Sequence, residues 1–282
     1  MSLFDPFVAV LGAAAGSRSS EEAAKRAAAA VADFAARSGA SAWHPSLTRA
    51  DVAARLGELL ADPDLVDQGD LNVCGPATLF HFWFQRDPLA TVEYAISLFE
   101  TGRGRIGDLT VAPGRDLRAQ DYGAVARSAA PPADWMMLSA LRDWENDVLD
   151  FEGTPAEGAS GITRPDELAR WMKASGAYQR VDDDGAWVRT KSITHALALA
   201  PSPRCDVAIL IHARILESSA PGRKKSLLDR FPNHYVRLVE PIAARGRDVT
   251  FRYWTWGSAP ASATVPAATF EASYYGSITG HV

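Results

Sequence analysis

At 282 residues, with 47% hydrophobic and 22% charged residues, the chain has the composition of a water-facing globular protein long enough for one large core or two lobes. A formal net charge of −5 removes any electrostatic reason to expect nucleic acid, and two cysteines, Cys74 and Cys205, are too few for a disulfide scaffold or a thiolate metal site. The apolar run 7–15 lacks the basic start of a secretory signal, and no stretch reaches the ~18 apolar residues of a membrane span. The expectation is therefore a reduced protein, cytoplasmic as synthesised and without membrane contact.

Residues 1–19 read as a loosely held lead-in. An Ala-rich helix follows from Ser20 to about Arg37, with Val31 and Phe34 as its contacts and Ser38-Gly39 as its stop. Trp43 and His44 fall in a loop, where His44 reads as a surface or capping residue. A second helix spans residues 48–60 on the spacing of Val52, Leu56, Leu59 and Leu60.

The segment 68–74 is polar and turn-rich and ends at a cysteine, after which an apolar helix runs to about Gln85. Gly75-Pro76 suits a tight helix entry, since proline is tolerated where its missing N–H has no intrahelical partner. Cys74 would sit at the positive end of that helix, where unpaired N–H groups favour thiolate over thiol. His81, two turns on, is too far along the helix to serve the sulfur and reads as structural.

Asp87-Pro88 opens a helix that Gly102 to Gly104 closes, and residues 103–130 read as an irregular excursion. Pro131-Pro132 starts another helix with Asp134 as its N-cap and a stripe of Met137, Leu141, Trp144, Val148 and Phe151. Residues 153–161 form a small-residue loop, a candidate lobe boundary or lid, before a short helix over 165–174. Segments 178–181 and 187–190 read as a hairpin around Asp182-Asp183-Asp184, an acidic turn that needs no metal. Residues 192–200 are expected to be helical around His195, and 206–216 to be a central strand containing His212. The segment 217–230 reads as a basic exposed loop.

Residues 234–239 and 249–255 both alternate apolar and polar. A turn centred between Ala244 and Arg245 would set position 234 opposite 255 and put His234 on the face of Thr255. Residues 264–265 read as a short strand and 266–275 as a helix.

Gln68, Cys74, Gly75, Ala77 and Leu79 spell Q-x5-C-G-x-A-x-L, which resembles the papain-like cysteine peptidases and most closely their bacterial branch that processes bacteriocin leader peptides. His234-Tyr235-Val236-x-Leu238 is similar to the family's histidine strand, and Trp256-Gly257 to its Ser-Trp-Gly ending, where a tryptophan shields the site. The resemblance implies an α+β, papain-like single catalytic domain, with a helical lobe over about 20–152 and a mainly-β lobe over 163–282. It implies Cys74 as nucleophile, His234 as base, and the Gln68 amide with the Cys74 N–H as oxyanion hole. The chain departs from the pattern at the residue that orients the histidine: Trp254 stands where the family has Asn, and no Asp-Pro follows the strand. Thr255 is the nearest polar neighbour by register and Ser258 the next, so the site is a dyad or a triad whose third member lies elsewhere.

The function expected is hydrolysis of protein amide bonds without a cofactor or metal, with peptide cleavage first, glutamine deamidation second and acyl transfer third. A protein or peptide substrate is implied. A bacterial effector toxin delivered by a secretion machine, with an immunity or chaperone partner, suits the same features. The rival class is an inactive papain-like binding protein.

Overall fold

The computed structural model describes residues 6–125, 130–146, 153–154, 162–216 and 232–282; the side chains of 6–20 and of Val125 are outside that description. It is a mixed α and β structure, with ten α-helices among the described residues and a curled antiparallel sheet. No described helix is long and apolar enough to cross a membrane.

Helix α1 spans Pro6–Ala36, so the backbone turns helical well before Ser20, with a proline in the first turn where its lost donor is harmless. Ala27, Val31 and Phe34 form its buried face. Helix α2 (Arg49–Ala61) starts where Thr48 accepts from Asp51 N and buries Val52, Ala53, Leu56 and Leu59. Helix α3 (Cys74–Arg86) carries the cysteine. Helix α4 (Pro88–Thr101) is capped by Asp87, which accepts from Ala90 N at 3.0 Å, and ends at Gly102 in the left-handed region.

Residues 103–125 are more ordered than expected. Strands β1 (Gly104–Ile106) and β2 (Leu109–Val111) form a hairpin too short for its period to register, followed by short helices α5 (Arg115–Ala119) and α6 (Tyr122–Val125). Helix α7 (Pro132–Glu145) is central, with residues 133–142 all buried. Met137 and Leu141 lie in the core; Val148 and Phe151 fall outside the described residues, as do most of the 153–161 loop and the 217–230 segment. Helix α8 (Pro165–Ala174) starts where Glu167 accepts from Arg164 N at 2.7 Å.

The larger sheet has seven strands in the order β3-β9-β4-β5-β7-β6, with β8 added on β7. Its strands are β3 (Arg180–Asp183), β4 (Cys205–Ile211), β5 (His234–Leu238), β6 (Ala243–Arg245), β7 (Asp248–Trp254), β8 (Ala261–Pro266) and β9 (Tyr274–His281). The expected 178–190 hairpin does not form. Strand β3 pairs instead with the last strand, Arg180 opposite His281. Only its first two residues fall within the helix expected over 266–275, of which the fold keeps a single short helix at Ala267–Glu271, and Gly276 and Gly280 interrupt the pattern of the rest.

Central strand β4 is buried on both faces, as its apolar run requires. It stops at Ile211, and His212 caps a 3₁₀ turn by accepting from Arg214 N. One face of the sheet, with Ala208, Leu210, Tyr235, Trp254 and Ile278, packs on the helices. The other, with Ile209, Val236, Leu238, Phe251 and Tyr253, is covered by α10 (Ala267–Glu271) and by Ala196 of α9 (Ile193–Leu197).

Candidate active site

Cys74 is the first residue of α3, as its neighbours dictate. Leu71 N bonds Gln68 O at 3.1 Å to close a turn, and the Gln68 side-chain Oε1 accepts from Val73 N at 3.1 Å, tying the glutamine to the residue before the cysteine. Pro76 falls in the first turn, where no donor is required. Gly75 permits a close approach: a Cβ there would lie 2.4 Å from Thr163 Oγ1, so only glycine lets the start of the α8 segment rest on the start of α3.

His234 opens β5 opposite Ile211. Strands β5 and β7 pair only at Arg237–Trp254 and Leu238–Tyr253, so they separate before reaching His234. In the gap the Tyr235 N–H acts on Cys74 Sγ instead of on a strand carbonyl. The turn joining the two runs lies at Gly246-Arg247 rather than between 244 and 245, so the pairing slips from the expected register by an even step. An even slip leaves every side chain on its expected face, and Thr255 still meets the histidine. His234 Nε2 and Thr255 Oγ1 are 3.0 Å apart. The contact is thus made to Nε2, which leaves Nδ1 as the other ring nitrogen. Trp256 packs edge-on against the imidazole, with centroids 4.2 Å apart and planes at 84°. Ser258 bonds Thr255 O and takes no part at the ring.

Cys74 and His234 line one narrow cleft, together with Asn72, Thr163, Trp187 and Tyr235. No hydrogen bond joins Sγ to the imidazole among the described contacts. The expectation of a thiolate at rest is not met. Burial pushes the Cys74 thiol up to about 11, outweighing the backbone N–H groups of Tyr235, Gly75 and Cys74 that pull it down. Burial alone holds His234 down at about 3. At neutral pH both groups are uncharged.

A strap, residues 64–69, connects the two halves of the site. Asp64 Oδ1 meets His81 Nε2 at 2.8 Å and Asp64 O accepts from Trp254 Nε1 at 3.0 Å, while the His81 ring stacks on Trp254 at 3.7 Å. Leu65 O accepts from Arg55, Val66 O from Gly257 N at 2.7 Å, and Asp134 Oδ1 from Asp67 N at 2.7 Å. Asp134 is therefore not an N-cap. It is a fully buried carboxylate paired with Arg55 Nε at 2.7 Å, with a pKa raised to about 6 by burial. His81 is structural, as its distance along the helix required. Sequence reasoning could not find Arg55 or Thr163, nor the pairing of Asp134, because nothing local marks residues that meet across the fold.

No family model, no curated protein and no solved structure matches the chain.

The remaining candidates lie apart from the cleft. His44 Nδ1 pairs with Ser46 Oγ at 2.9 Å, and His195 Nδ1 with Tyr274 Oη at 2.8 Å. Cys205 is half-buried and unpaired with Cys74. In the acidic turn Asp182 meets His281 at 3.0 Å and Asp183 accepts from Gly185 N. Among the described residues no group of three or more His, Cys, Asp or Glu side chains is disposed to hold a metal ion.

Proposed function

We propose that the protein is a papain-like cysteine hydrolase of protein amide bonds, with Cys74 as nucleophile and His234 as general base. The observation that carries this reading is the meeting of Cys74 and His234 in one cleft, with a hydroxyl, Thr255, on the far ring nitrogen. With Nε2 so engaged, Nδ1 is the nitrogen left to receive the thiol proton as Sγ attacks a carbonyl carbon. Because both groups are neutral at rest, that proton moves with the attack rather than before it. The Cys74 N–H at a helix start and the Gln68 amide, anchored through Oε1, are the donors for the oxyanion. Each is worth about 10²–10³ in kcat in sites of this kind. His234 then returns the proton to the leaving amine, and water repeats the cycle on the acyl-enzyme. Delivery into a target cell as an effector, with a partner that guards its producer, belongs to the same proposal.

The test is to expose a cellular lysate to the protein and to Cys74→Ala, and to map products by mass spectrometry. New termini signify a peptidase, and glutamine converted to glutamate without new termini a deamidase. Both should vanish in Cys74→Ala and His234→Ala and survive in Cys205→Ala; activity retained in Cys74→Ala ends the reading. The raised thiol and the missing Cys74–His234 hydrogen bond favour one rival, a papain-like binding protein without catalysis. That rival predicts no products from any variant.

A further inference from the structure

Arginines withdrawn from water in this fold are met by carboxylates. Arg49, Arg55, Arg86, Arg142 and Arg237 are half-buried or buried, and each has an Asp or Glu oxygen within 3.6 Å. Arg118 breaks the pattern. It is half-buried, yet its one described side-chain bond runs from Nε to the Pro113 carbonyl at 3.3 Å, and no described carboxylate pairs with it. A guanidinium has five N–H donors, so most of them are left for another partner. Its Nη1 would lie 2.8 Å from a Cβ on Gly102, which sets the charge over the C-terminal end of α4, a place that favours one cation. A second one stands beside it. Arg115, exposed and without a described partner, precedes Arg118 by three residues on α5, so the two share a helix face and repel each other.

Both arginines line a pocket of about 310 Å³, together with Ala42, Trp43, His44 and Ala119. That volume falls within the roughly 300–1,000 Å³ of small-molecule sites, and the pocket shares no lining residue with the cleft of Cys74. No Asp or Glu is among its lining residues. Asp121 lies 3.8 Å from His44 Nδ1, the nitrogen already paired with Ser46, and Nε2 has no described partner. Trp43 Nε1 donates to Leu98 O at 2.9 Å, so the indole offers the pocket an apolar edge rather than a donor. A neutral guest would leave both guanidinium charges uncompensated, and a monoanion one of them. A compact dianion answers both, since a guanidinium can give a phosphate two parallel N–H bonds. We infer that the pocket between residues 42–44 and α5 binds a small phosphate monoester. Arg115 and Arg118 hold the phosphoryl group, and Ala42, Trp43 and Ala119 face the organic part. The site is independent of the hydrolase reading.

The probe is phenyl phosphate, with benzoate as its monoanionic counterpart, titrated calorimetrically into the whole protein at constant ionic strength. The titration is run about two pH units above the second phosphate pKa of about 6, where the phosphate is a dianion. One phenyl phosphate should bind per chain, about tenfold or more tightly than benzoate, and inorganic phosphate should displace it. Arg115→Gln and Arg118→Gln should each weaken it by about tenfold, whereas Arg189→Gln, which removes an exposed charge elsewhere, should leave it unchanged. Arg118→Gln also loses the Pro113 bond, so Arg115→Gln is the deciding variant; without ligand its melting temperature should stay level or rise, as a repulsion is removed. No saturable heat with phenyl phosphate overturns the inference, as does benzoate bound equally well. An equal loss in Arg189→Gln, or wild-type affinity in Arg115→Gln, does the same. Failure of inorganic phosphate to displace the probe would show that the ring and not the phosphoryl group is recognised, which also overturns it. A melting temperature that falls in Arg115→Gln would assign that charge to the fold and count against the site.

Discussion

The strap 64–69, only partly buried, and the buried cleft beside it treat polar groups in opposite ways. In the strap, Asp64, Leu65, Val66 and Asp67 each give a backbone or side-chain group to a partner from another element: His81 and Trp254, Arg55, Gly257 and Asp134. In the cleft, Thr163 and Tyr235 keep hydroxyls without partners, and Cys74 and His234 are held neutral by burial. Paired groups hold a shape, whereas unpaired ones are costly unless something arrives to satisfy them. The difference separates a paired scaffold from an unpaired wall.

The sharpest way to break that comparison is to unpair the strap. Arg55→Ala leaves Asp134 buried without its cation, and urea unfolding at neutral pH should show a loss of about 3–5 kcal/mol. An unfolding midpoint close to wild type would mean that the pair adds nothing to the strap. Next in size is Gly257→Ala. At φ +66 the residue sits in the left-handed region, and a Cβ would lie 2.7 Å from Asp67 Cγ. A destabilisation of about 1–3 kcal/mol is expected, along with weaker activity, because the same turn carries Thr255.

The cleft is probed by pH. His234 titrates near 3 when folded against about 6.5 when unfolded, so between those values the unfolded chain binds more protons and stability rises with pH. The His81 pKa, lowered to about 4 chiefly by burial, acts in the same direction, while Asp134, raised to about 6, opposes both. Replacing His234 with Gln should therefore flatten the stability profile between about pH 4 and 6 by about 1.4 kcal/mol per pH unit. Parallel profiles for variant and wild type would show that the imidazole is not held neutral. Smallest is Thr255→Val, which removes the Nε2 contact and should slow turnover by up to about tenfold with stability little changed. Full activity in that variant would remove Thr255 from the site.

Local chemistry was legible in the sequence wherever it decides local structure. The start of α2 at about Thr48, the Asp87-Pro88 entry, the stop at Gly102 and the alternation of Val249, Phe251 and Tyr253 all appear in the fold. Pairings between distant segments were not: strand β3 finds the chain terminus, and β9 hides behind its glycines. At the site, residue types and spacing pointed to Cys74, His234 and Thr255, and the fold brings them together. The charge state was out of reach, because a helix start predicts a thiolate while the burial that reverses it is a property of the whole core. Thr163 carries no local signal, since its significance arises only from lying over Gly75.

The parting of β5 from β7 bears on how the site stays open. Had β7 run two residues further, the carbonyl of Trp256 would take the Tyr235 N–H and zip the seam shut. The turn at Gly257, tied down to Val66, diverts the chain before that rung forms, and the sulfur of Cys74 occupies the missing place. Cys74 thus sits as a wedge in the seam between the two strands.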